Sequence, residues 1–202
     1  MPWFSTIIRE LLDDARKWSA GRSWLVRLPM LIWFARIAWG HWSSPEYESF
    51  LGGINLGIHE FGHLICSPFG QFVTVAGGSF VQCLVPVISI FMFRRQEDYF
   101  AFAFSSLWLG TNLHGVSRYI GDARKLQLDL VSPFGGDGEV IHDWNFLLNR
   151  MGLLHFEVEI AAVVRVTSYL FLLAGVLWGG WILWQMLRQK KSESDDWGVP
   201  SN

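Results

Sequence analysis

The chain has 202 residues and a formal net charge of −2, and 17% of it is charged, against roughly 25% in an ordinary soluble domain. Hydrophobic residues make up 51%, with 12 Trp and 16 Phe, which predicts one sizeable domain and excludes a polyelectrolyte, a disordered chain and a nucleic-acid binder. The two cysteines, Cys66 and Cys83, form neither a CxxC pair nor a disulfide framework.

In chain order, residues 3–18 predict an amphipathic helix, with Ile7, Ile8, Leu11 and Leu12 opposite its charges. No small-residue cleavage site follows an early apolar run, so this segment does not read as a signal peptide. Residues 24–42 combine four Trp with Arg27, Pro29 and Arg36. That mixture suits the headgroup region and an in-plane helix, and makes this segment a fifth candidate crossing. Four further stretches read as full spans. Residues 50–69 are apolar around His59, Glu60 and His63. Residues 71–93 carry no charge, which is long enough for the ~20 residues of a bilayer core. Residues 99–120 are apolar up to His114 and Arg118, and 160–187 are broken only by Arg165.

Four crossings gather the basic N-terminal segment, Arg94 and Arg95, and the basic cluster at 188–191 on one side, with both termini cytoplasmic. Gly53 and Gly57 predict one helix-packing face, and Gly175 and Gly179 a second. Residues 121–159 form a polar loop with a glycine-rich turn at 133–138, and 188–202 read as a disordered tail. The expected fold is therefore all-α, a polytopic integral membrane protein with four transmembrane helices. Residues 1–49 would be interfacial helices and 50–187 a membrane-embedded domain in a lipid bilayer, the cell membrane being the expected one.

The chemistry concentrates in His59-Glu60-Phe61-Gly62-His63, an HExxH box. Residues four apart on a helix share one face, which lets two imidazoles grip one Zn2+ while the intervening glutamate takes a proton from water. With 6 His and 9 Glu in the chain, composition alone yields about 0.01 such boxes. Three ionisable groups within an apolar span are costly, and a metal compensates them.

On this box, with the Gly before the second His and another apolar stretch following, the chain resembles the site-2 protease family of intramembrane zinc metalloproteases. The resemblance covers roughly residues 50–125. It implies His59 and His63 as zinc ligands, Glu60 as general base, a third ligand from an Asp in a later span, and a membrane protein or peptide as substrate. That family's later span carries N-x-x-P-x-x-x-L-D-G, a string that does not occur here.

The nearest analogue runs from Asn112 to Asp122, with His114, Arg118 and Asp122 spaced four apart on one face. Asp122 is the first candidate for the third ligand and His142 the second. Asp137 and Asp143 are the other rivals, Asp143 reading equally as a helix N-cap. Asn112, by resemblance, would polarise a substrate carbonyl. Residues 71–78, β-branched and ending in two glycines, could present a strand-like edge to an extended peptide. Two alternatives remain. One is a non-catalytic membrane protein that keeps this fold as a binding module or structural zinc site. The other is a di-iron oxygenase, which needs more His-rich boxes than the single one present.

Overall fold

The computed structural model describes residues 2–44, 46–128 and 141–196, and among them every regular element is helical. Helix α1 (Pro2–Ser19) and helix α2 (Arg27–Ser43) precede α3 (Leu51–Cys66). A 3₁₀ turn, Ser67–Phe69, then leads to α4 (Gln71–Arg95) and α5 (Tyr99–Gly121). After residues 129–140 come the short α6 (Asp143–Met151), a second 3₁₀ turn, Leu154–Phe156, and the long α7 (Glu157–Asp196).

The turns follow local chemistry. Gly70, between α3 and α4, has φ +89° and ψ 160°, a region essentially confined to glycine. Asp98 caps α5 by accepting the Ala101 N–H at 3.0 Å. Gly152 ends α6 in the left-handed conformation, the usual helix stop.

Helix α5 is the axis of the bundle. It buries Phe100, Ala103, Leu107, Asn112, His114 and Ile120 among many others. Helix α7 lies along it through small residues: a Cβ on Gly175 would sit 2.8 Å from the Ala103 carbonyl, and one on Gly110 2.7 Å from Leu172. Ser168 Oγ donates to the Gly110 carbonyl at 2.8 Å within that seam. Helix α2 adds Phe34, whose ring stacks on Phe100 at 5.8 Å. At the opposite end of α5, Leu148 of α6 packs with Val116, Ile120, Ala123 and Ala161. Arg124 Nε donates to the buried Glu157, tying the end of α5 to the start of α7.

Large apolar side chains face outward around this axis, among them Phe61 of α3 (56% exposed), Phe91 of α4 (67%) and Val163 of α7 (68%). Among the described residues two helical stretches are long and apolar enough to cross a membrane, Gln71–Arg95 and Leu154–Gln189. The 16 residues of α3 give about 24 Å at 1.5 Å each, short of the ~30 Å hydrocarbon thickness. Helix α5 has the length, but Ser105, Ser106, Thr111, Asn112, His114 and Ser117 make its interior face polar.

Several expectations change. Residues 71–78 are the opening of α4, not a strand-like edge, because their backbone groups are taken up by the helix. Gly53 and Gly57 face open space; the close contact of α3 is made by Gly62. The loop at 121–159 contains α6 and the start of α7, and α7 continues through 188–196 where a disordered tail is expected. The turn at 133–138 and residues 197–202 lie outside the described residues.

Gly175→Val should destabilise the protein by about 1–3 kcal/mol through overpacking at α5, measured by thermal unfolding in detergent. Gly53→Ala, with nothing within 4 Å of the added carbon, should be neutral or stabilising by up to ~1 kcal/mol through helix propensity.

Candidate metal centre

Asn55, His59 and His63 recur every fourth residue on α3 and face inward. Asn55 anchors this face, its Oδ1 accepting Trp108 Nε1–H at 2.7 Å and its Nδ2 donating to Thr111 Oγ1 at 3.3 Å, both on α5. One turn further on, Gly62 lets α3 meet α4 at backbone distance. A Cβ there would lie 2.4 Å from the Gly77 carbonyl oxygen. The approach brings the Thr74 carbonyl within 2.8 Å of His63 Nδ1, and Gln82 Oε1 within 2.9 Å of His59 Nδ1.

Those two contacts fix the imidazoles. A carbonyl oxygen only accepts, so each Nδ1 carries the proton and donates it, and each Nε2 is turned toward the interior with its lone pair available. Ring N–H groups given to carbonyl oxygens in this way are the customary support of metal-ligating histidines.

Both Nε2 atoms meet the same carboxylate oxygen. Asp143 Oδ2 lies 2.9 Å from His59 Nε2 and 3.2 Å from His63 Nε2. Asp143 is the first residue of α6, where the helix N-terminus favours a negative charge. Its backbone N–H donates to Tyr119 Oη at 2.9 Å, and the adjacent Trp144 Nε1 donates to Ser79 Oγ at 3.1 Å, docking α6 on α5 and α4. Burial pushes the Asp143 carboxyl up, but its hydrogen bonds with His59 and His63 outweigh this and hold it below the usual carboxylate range.

Donor atoms at about 2.0–2.1 Å from a tetrahedral zinc ion stand about 3.3 Å apart, close to the separations seen here. The space itself is set by Gly78, since a Cβ there would lie 2.6 Å from both Nε2 atoms. Glu60 places a carboxylate oxygen within 4.8 Å of the two imidazole donors. Among the described residues no hydrogen bond or ion pair holds that carboxylate. The residues present fit a small divalent cation held by His59, His63 and Asp143, with Glu60 alongside.

The other sequence candidates are engaged elsewhere. Asp122 accepts the backbone N–H groups of Gln127 and Leu128 at 3.0 Å, and its Oδ2 lies 3.4 Å from His142 Nε2. His142 Nδ1 accepts the Asn145 N–H and caps α6, and burial lowers its pKa. The two candidates thus face each other and fix the start of α6, while the next residue, Asp143, reaches the imidazoles. Asn112 is fully buried and its amide donates back to the Trp108 carbonyl at 2.9 Å. His114 packs against His41, ring centroids 4.5 Å apart. Asp137 lies outside the described residues.

Gly78, Gln82, Thr74 and Tyr119 were not singled out from the sequence. Gln82 was the most legible, a long amide in the middle of an uncharged run. Comparison with protein-family models, with curated proteins and with solved structures returned no match.

Zinc content of purified protein separates these roles. His59→Ala, His63→Ala and Asp143→Ala should each lose the metal, while Asp122→Ala should retain it. Gly78→Ala should also lose it by filling the space between the imidazoles. Gln82→Leu should weaken affinity by about 10–100-fold, the usual effect of removing a group that orients a ligand.

Proposed function

We propose that this chain is a membrane-embedded zinc metallopeptidase of the site-2 protease kind, with His59, His63 and Asp143 as metal ligands and Glu60 as general base. The observation that carries this reading is the convergence of two imidazole Nε2 atoms on one carboxylate oxygen, beside a glutamate that, among the described residues, no hydrogen bond or ion pair holds. Zinc bound there supplies a Lewis acid and brings the pKa of a water toward ~7.

The protein's own groups then divide the work. Gln82 and the Thr74 carbonyl hold both rings in the tautomer that presents Nε2. The Glu60 carboxylate accepts a proton from the attacking water and returns it to the departing amide nitrogen, a role that requires it to lie within hydrogen-bond reach of that water.

Membrane embedding in several passes is supported by the outward-facing apolar side chains of α2, α3, α4 and α7 around a polar-faced α5. Gly78 lies seven residues into α4, about 10 Å from its first residue at 1.5 Å per residue. That depth, at the end of the bundle carrying α6 and the polar residues after α5, favours peptide bonds near a membrane boundary and lets water arrive from that end.

Glu60→Gln should keep a full complement of zinc and lower cleavage of a single-span reporter peptide by at least about 10²-fold. Metal analysis and product formation in vesicles measure the two effects. Undiminished cleavage would remove Glu60 from the reaction. Loss of zinc in this variant would instead favour the closed, non-catalytic site, in which Glu60 is the fourth ligand.

A further inference from the structure

Among the described residues, the groups gathered at the proposed metal position are acceptors: two Nε2 lone pairs, the Asp143 carboxylate and Glu60. Tyr119 is a neighbouring side chain that can donate. It sits half-buried in the last turn of α5, its ring centroid 6.1 Å from that of His59 and 4.3 Å from that of His142. Its oxygen accepts the Asp143 N–H at 2.9 Å. A phenol both accepts and donates. Here the accepting role is filled, and among the described residues no group takes the phenol's own proton. The bond also holds Oη beside the residue whose Oδ2 lies 2.9 and 3.2 Å from the imidazoles.

We propose that Tyr119 is a catalytic residue whose O–H donates a hydrogen bond to the substrate carbonyl oxygen and stabilises the charge that develops there. This inference rests on the peptidase reading. As water attacks, its proton passes to Glu60, its oxygen bonds the carbonyl carbon, and the π pair moves onto the carbonyl oxygen, which accepts the Tyr119 hydrogen bond. That pair then reforms the carbonyl, the C–N bond breaks, and Glu60 returns the proton to nitrogen. The phenol keeps its proton throughout. Asn112, the sequence candidate for this role, donates its amide into its own helix and is fully buried.

Tyr119→Phe keeps the ring against His59 and His142 and removes only the hydroxyl. On the single-span reporter peptide it should lower kcat by about 10²–10³-fold, the range for loss of one oxyanion donor, with KM little changed. Zinc stoichiometry should match wild type. Affinity for a phosphonamidate peptide, a tetrahedral anionic probe that needs no turnover, should fall by at least about tenfold. Wild-type kcat, or undiminished phosphonamidate affinity, in the variant overturns the proposal. Loss of zinc also overturns it, since Tyr119 would then only position Asp143. Glu60→Gln, assayed in parallel, separates the two claims. If Glu60→Gln is inactive and Tyr119→Phe fully active, only the tyrosine proposal fails. If wild type cleaves nothing, or Glu60→Gln cleaves normally, the peptidase reading fails and takes the tyrosine with it.

Discussion

Two imidazole lone pairs and a carboxylate oxygen repel one another within a few ångströms unless a proton or a cation lies between them. At His59, His63 and Asp143 the inner nitrogens are 2.9 and 3.2 Å from one oxygen, and the outer nitrogens are committed as donors. Protons on the rings are one way to satisfy this. A divalent cation is the other, and it replaces two protons with one centre whose preferred bond lengths match the spacing. The rest of the bundle can be understood as the means of holding these three atoms in place.

Small residues do much of that holding. Gly62 and Gly77 remove the side chains that would keep α3 and α4 apart, so a main-chain carbonyl of α4 can reach a ring on α3. Gly78 then lets the α4 backbone pass close to both rings, where a Cβ would lie 2.6 Å from each Nε2. Gln82, one turn on, orients the other ring. A single helix pair thus contributes both imidazoles and both of the carbonyl groups that orient them, while α5 and α6 supply the remaining groups.

The local part of this design was legible in the sequence. His59, Glu60 and His63 were recognisable because four-residue spacing on a helix fixes their shared face, and the all-helical class followed from long apolar stretches. Which residue meets the two imidazoles was not, because it depends on how a distant segment folds back. Asp122 and His142 had the expected chemistry, yet Asp122 spends its oxygens on backbone N–H groups and His142 spends Nδ1 on a helix cap. Asp143 differs from His142 by one position, and only the docking of α6 decides which of the two points inward. The β-branched residues at 71–78 are compatible with a strand-like edge as well as with the start of a span, and packing against α3 within the 71–95 helix decides for the span. The crossing count also depends on context: α5 has the length of a span and a polar face, so hydropathy alone understates how far inside the bundle it lies.

Asp143 lies 84 residues after His59 along the chain. The box on α3 is therefore synthesised long before its partner on α6, and the loop between them must close against an entropic cost that grows with its length. A nascent chain that has emerged only through α5 carries His59, Glu60 and His63 without Asp143. The cluster of His59, His63 and Asp143 is therefore complete only once most of the polypeptide has been made and folded.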